Sequence, residues 1–269
     1  MKYSFFFFLL LCVLTRCQTS DGGVLSGTLA IKQSLYIDLY NLNTGRKVLS
    51  DTLKNGNFNV GLENFESGVY QAVFSWDRDV VKPQEVERFA RQPELGVPKY
   101  YISTTFWVDR RESKQYNLSV DSIYKQIELE DILLNDGGSE SIHMLIKSDG
   151  ANNKLYNEYL KLINHYREKN QQHKDNLELL VEHYRSLKLY EQAEKANSRL
   201  NNTWLDNVKE ELINEEIVFM KKHIESDVIP HIYRFQVNTK EDFKRYIEVY
   251  KLFPKQTREK LAAHVTRLL

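Results

Sequence analysis

Between residues 24 and about 130, apolar and polar positions mostly alternate in short runs, the period of a half-buried β-strand. Residues 24–29 set apolar side chains around Ser26 and Thr28, and Leu35-Tyr36-Ile37-Asp38-Leu39-Tyr40 is a β-branched and aromatic run. The latter is closed by Asn41-Leu42-Asn43-Thr44-Gly45, whose residue types favour a tight turn. Residues 48–53 and Phe58-Asn59-Val60-Gly61-Leu62 flank Asn55-Gly56-Asn57, and an Asn-Gly between two strand-like runs predicts a hairpin because both residues tolerate positive φ. Val69 to Trp76 puts Tyr70, Ala72, Phe74 and Trp76 on one face, and further strands are expected over 100–108 and 116–120. Turn signals recur at the spacing of an antiparallel β-sandwich. Pro83, Pro93 and Pro98 interrupt the pattern around a charged stretch, expected as a rim loop or short helix.

From about residue 150 the period becomes helical. Leu155, Tyr159, Leu162, Ile163 and Tyr166 form one apolar stripe. Leu177, Leu180, Val181, Tyr184 and Leu187 form a second, and Leu205, Val208, Leu212 and Ile213 a third. Helices are also expected over 242–253 and 255–268, punctuated by Pro230 and Pro254, and Asp136-Gly137-Gly138-Ser139 reads as a hinge. The fold class predicted is α+β: an antiparallel β-sandwich over 24–135 followed by an all-helical domain over 136–269.

The first residues have a different character. Lys2 precedes the apolar run from Phe5 to Leu14, about ten residues, where a membrane-spanning helix takes roughly 20. That is the form of an export signal. The only cysteines are Cys12, inside this run, and Cys17, just after it. Leu14-Thr15-Arg16-Cys17 resembles a bacterial lipobox, in which the cysteine is acylated and becomes the new N-terminus. Arg16 departs from the small residue usual at that position. The expected organisation is therefore a lipoprotein signal peptide over 1–17, with lipid on Cys17, and a polar tether over 18–23. With no other thiol after processing, a disulfide framework and a thiol active site are both excluded.

The 37 basic and 37 acidic residues give a formal net charge of zero, which argues against nucleic acid as a partner. Seven histidines are scattered without His-Glu-x-x-His or other ligand spacing, so no metal site is expected, although His165 and His173 could share a helix face. Phosphate-binding glycine loops and a nucleophile elbow are also missing. Glu210-Glu211 and Glu215-Glu216 read as solvated carboxylates on a charged helix. No catalytic residue and no cofactor are expected. Asp51-Thr52-Leu53 and Asp121-Ser122-Ile123 look like the Asp-Ser/Thr-aliphatic acceptors of envelope O-glycosylation, which makes Thr52 and Ser122 candidate attachment sites. Leu189-Tyr190-Glu191-Gln192-Ala193-Glu194 echoes part of a tetratricopeptide repeat but has no second copy, so a plain helical hairpin is expected.

The order of parts also carries a resemblance. Leu25-Ser26-Gly27-Thr28-Leu29, Leu42-Asn43-Thr44-Gly45, Asp51 through Phe58 and Gly68-Val69-Tyr70 resemble the β-domain of unknown function at the N-terminus of many Bacteroidota envelope lipoproteins. In that family a helical segment and then a thioredoxin-like disulfide reductase domain follow. Tyr156 to Tyr166, Met220-Lys221-Lys222-His223-Ile224 and Tyr250-Lys251-Leu252-Phe253-Pro254 are similar to its helical part. No Cys-x-x-Cys is present, so the resemblance does not bring reductase chemistry with it. The expectation is a lipid-anchored, non-catalytic binding or assembly module of the cell envelope. Its partners would be the membrane, through the lipid, and an envelope protein, peptide or glycan, with exposed tyrosines and Trp107 as contact candidates. The alternative is an accessory subunit of a split thioredoxin-like redox system that uses the C-terminal helices.

Overall fold

The computed structural model describes residues 23–54, 56–78, 90–91, 98–111, 114–120, 125–135 and 142–269. The signal segment with Cys17, Ser122, most of the proline-bracketed stretch and residues 136–139 lie outside the described residues. The protein is a mixed α/β chain with two four-stranded sheets and, among the described residues, eight helices. It divides into two compact units, one running to Lys154 and the other from Leu155 to Leu269.

The strands of the first unit are β1 (Val24–Thr28), β2 (Leu35–Asn41), β3 (Arg46–Leu53), β4 (Asn57–Gly61), β5 (Gly68–Asp77), β6 (Lys99–Val108), β7 (Gln115–Val120) and β8 (Met144–Lys147). A helix, α1 (Gln126–Asn135), lies between β7 and β8. One sheet has the order β3-β2-β5-β6, all antiparallel. The other has the order β4-β1-β7-β8, in which β1 and β7 run parallel. The alternation seen in the sequence is real: Leu35, Ile37, Leu39, Tyr70, Ala72, Phe74 and Trp76 are buried. They share one apolar cluster with Leu25, Phe58, Val60, Tyr116 and Ile146 of the other sheet and Leu129 of α1.

The two turn signals behave differently. Asn41-Leu42-Asn43-Thr44-Gly45 closes the β2–β3 hairpin: the Asn41 side-chain oxygen accepts from the Asn43 and Thr44 N–H groups, and Gly45 takes φ +68°. The Asn41 amide also donates to the Tyr70 hydroxyl, at 3.1 Å, which fastens the turn to β5. Asn55-Gly56 does not make the expected hairpin. β3 and β4 belong to different sheets, and the chain crosses from one to the other there. Gly56 is needed for that crossing. It has φ +66°, its carbonyl accepts from Leu29 N–H, and a Cβ would lie 1.8 Å from the Leu29 carbonyl oxygen. Gly56→Ala should therefore cost about 2 kcal/mol of stability, through the left-handed backbone and the clash together, as read by a lower urea midpoint. An unchanged midpoint would mean the crossing can move aside.

Two elements depart from the expected layout. α1 is a helix within a stretch read as β, and β8 is a strand within a stretch read as helical. Thr104 Oγ donates to the Met144 carbonyl at 2.7 Å, joining β6 to β8. Asn153, only 1% exposed, accepts from the Trp107 N–H at 3.0 Å and donates to the Ile146 carbonyl at 2.7 Å. One side chain thus satisfies two backbone groups on two strands.

One long helix, α2 (Ala151–Ser186), starts within the first unit and belongs to the second from Leu155 on; it carries the first two stripes except Leu187, which falls just past its end. It is followed by α3 (Tyr190–Leu200), α4 (Asp206–Lys222), α5 (Val228–Gln236), α6 (Lys240–Arg245), α7 (Ile247–Leu252) and α8 (Lys255–Leu268). Tyr166, Leu177 and Val181 pack with Ala193, Ala196, Val208 and Leu212 as the stripes require. Leu180 and Leu187, however, are exposed. Pro230 sits in the first turn of α5, where its missing N–H has no intrahelical partner to lose. None of the described helices is long and apolar enough to cross a membrane.

Candidate functional site

The residues named in advance are not gathered into one place. Thr52 is exposed on β3, an edge strand, with its N–H on the Asp51 carboxylate. Trp107 is 1% exposed inside the first unit, so it is no stacking platform for a ligand; Tyr101 and Tyr190 are exposed. Among the described residues no group of three or more His, Cys, Asp or Glu is placed to hold a metal ion. Glu210, Glu211 and Glu215 are exposed as expected, but Glu216 is buried, which corrects its reading as a solvated carboxylate.

Glu216 is the centre of a polar knot. Tyr159 Oη of α2 donates to its Oε1 at 2.7 Å, and Tyr246 Oη, between α6 and α7, donates to its Oε2. Gln236 of α5 donates in turn to Tyr159 Oη. Burial pushes the carboxyl above its ordinary range, against the opposing effect of the Tyr246 and Tyr159 hydrogen bonds. Both phenols are likewise raised, first by burial and then by the neighbouring carboxylate. Such a knot orders helices; it is closed on itself and offers no reacting atom to an incoming molecule.

Asp109, 4% exposed, is a second closed group. It accepts from Arg111 Nε and Nη2, each at 3.1 Å, and from Asn152 at 2.9 Å. Burial acts to raise its pKa, but the Arg111 and Asn152 hydrogen bonds outweigh it and bring the carboxyl down to about 2. It binds the β6–β7 connection to the start of α2.

An open site exists elsewhere in the first unit. A cleft of about 780 Å³ lies between the connection after β1 and the start of α1, lined by Ala30, Lys32, Gln33, Lys125, Gln126, Ile127 and Glu130. Its walls are tied together by one amide. Gln126 Oε1 accepts from the Lys32 N–H at 2.8 Å, while Gln126 Nε2 donates to Gln33 Oε1 and, at 2.8 Å, to Glu130 Oε1. The buried Trp76 indole N–H donates to the same Glu130 oxygen at 2.9 Å. Glu130 Oε2 has no partner among the described residues, and neither do the exposed ammonium groups of Lys32 and Lys125. Ile127 forms an apolar lip, 74% exposed. The cleft volume falls in the range of small-molecule sites, roughly 300–1,000 Å³.

No individual signal in the sequence marked this cleft. Lys32, Gln33 and the Lys125–Glu130 segment are some ninety residues apart and meet only when β1 and β7 pair. Glu216 did carry a signal: it continues the stripe of Val208, Leu212 and Ile213 and precedes Met220 by one helical turn. No protein-family model, curated protein or solved structure matches the chain.

Proposed function

We propose that this is an exported, lipid-anchored binding module of the bacterial envelope, without catalytic activity of its own, that holds a small envelope component in the Lys32–Glu130 cleft. In this reading the two sheets form a sandwich, and lipid on Cys17 confines the cleft to a membrane surface. A lipidated cysteine with more than one acyl chain anchors stably, since each buried methylene contributes about 0.8 kcal/mol. The observation that carries the binding reading is the cleft's preorganisation: one amide fixes both walls, and a carboxylate oxygen and two ammonium groups are left unengaged among the described residues. Sites on rigidly positioned connections are where binding residues concentrate.

The test is photocrosslinking in the native envelope, with a benzophenone amino acid replacing Ile127 and, as a control, Thr52. A discrete adduct from position 127, absent from position 52 and absent when Lys32 and Lys125 are both changed to Glu, is the expected result. Equal labelling from both positions would overturn the binding reading. Adducts with a thioredoxin-fold protein, obtained instead from residues 227–269, would favour the split-redox alternative. The anchor is checked separately by feeding an alkyne-tagged fatty acid: label should vanish and the protein leave the membrane fraction on Cys17→Ser. Retained label would remove the lipid from this account.

A further inference from the structure

The charges left unengaged in the cleft define the chemistry of what fills it, on the reading of the cleft as a binding site given above. Exposed lysines are ordinary on a protein surface. Lys32 and Lys125 are distinguished by lining one concave site on opposite walls, both without an ion-pair partner among the described residues. The walls that carry them are fixed to each other, because the Gln126 side chain takes the Lys32 N–H and adjoins Lys125 in the chain. Among the described residues the one carboxylate lining the cleft, Glu130, is oriented by two donors on one oxygen, Trp76 Nε1 and Gln126 Nε2, which leaves the other oxygen as an acceptor. Glu128, in the first turn of α1, is turned back to accept from the Lys125 N–H at 2.8 Å and so is occupied at the helix end. The cleft therefore offers two cations for an anionic group, one acceptor for an N–H or ammonium donor, and an aliphatic lip at Ile127.

We infer that the ligand is a short acidic peptide, its side-chain or terminal carboxylates seated by Lys32 and Lys125 and its amino terminus donating to Glu130. A neutral sugar would leave both ammonium groups without a counter-charge. A simple anion would leave the Glu130 acceptor and the Ile127 lip unused.

The test is isothermal titration of the full-length protein in detergent with three probes: Glu-Glu-Glu, Gln-Gln-Gln and maltotriose. Glu-Glu-Glu should bind at one site, at least about tenfold more tightly than either neutral probe, the scale of one charge-assisted contact. Changing Lys32 and Lys125 together to Glu should weaken it by tenfold or more, whereas Lys54→Glu, an exposed charge reversal outside the cleft, should leave it within about twofold. N-acetylation of the peptide should weaken binding to the native protein but not to Glu130→Gln, which retains a carbonyl acceptor for Trp76. Dispersed amide spectra of each variant confirm that it is folded. Tighter binding of maltotriose, or equal binding by the double-lysine variant, overturns the acidic-peptide assignment. If Glu-Glu-Glu fails to bind while the position-127 adduct persists, the ligand class is wrong and the cleft reading stands. Loss of both overturns the cleft reading as well.

Discussion

Replacing Glu216 by Ala should destabilise the helical unit by about 4 kcal/mol, seen as a lower urea midpoint in the helical circular dichroism. The change leaves the Tyr159 and Tyr246 hydroxyls without their acceptor in a buried setting, at roughly 1–3 kcal/mol each, and it adds a cavity. Glu216→Gln keeps one carbonyl oxygen and should cost less. Its diagnostic value is in pH. The folded carboxyl is raised above the ordinary 4.5, so the folded state holds its proton more tightly than the unfolded chain. Stability from this group is present in full below about 4.5 and is lost as pH rises through the folded value. The native protein should therefore gain on Glu216→Gln as pH falls from neutral toward 4.5. Parallel pH profiles for the two proteins would show that burial does not control this carboxyl.

His231 works in the opposite direction in the same unit. Burial lowers it to about 4, aided by Arg234 and Lys260 and opposed by Asp227. Its contribution is present above 6.5 and is lost as pH falls toward 4, on the order of 2 kcal/mol by pH 5. Glu216→Gln should thus expose an acid sensitivity that the native carboxyl partly offsets, and His231→Asn in the same background should remove it.

The second large effect is expected at Asn153. Asn153→Ala removes the acceptor of the Trp107 N–H and the donor to the Ile146 carbonyl, both buried, and should cost about 3 kcal/mol. Asn153→Asp is the sharper variant. It keeps the acceptor, loses the donor and places a carboxylate opposite the Ile146 carbonyl oxygen, so its deficit should shrink as pH is lowered and the acid is protonated. The readout is the urea midpoint of each variant at pH 7 and pH 5. A deficit in Asn153→Asp that does not change with pH would mean that water reaches the site.

What could be read in advance follows from the range of the forces involved. The Asn41–Gly45 turn, the inward face of β5 and the helical stripes are set by neighbours within a few residues, so local pattern reveals them. Asn55-Gly56 has hairpin chemistry, but β3 pairs with its neighbour β2 and β4 with the more distant β1, which draws the two strands into different sheets. β8 has four residues, too few for a period to register, and is held by β7, Thr104 and Asn153. α1 follows a run of strands and shows only a weak apolar face, its Leu129 alone being deeply buried. The cleft was illegible for the same reason as the sheet order. Its two walls are juxtaposed by pairing that no local segment encodes.

The position of β1 has a kinetic consequence. This first strand is an interior member of its sheet, hydrogen-bonded on one side to β4 and on the other to β7, which follows it by 91 residues. A chain emerging from synthesis or from a translocation channel has no partner for the second edge of β1 until β7 has emerged. Closing so long a loop places this unit among slow, non-local folders, on a scale of milliseconds to seconds. Until then the strand remains an open edge. The unit's folding is therefore timed by the arrival of its seventh strand, and a chaperone or secretion factor that holds the chain extended has that whole interval in which to act.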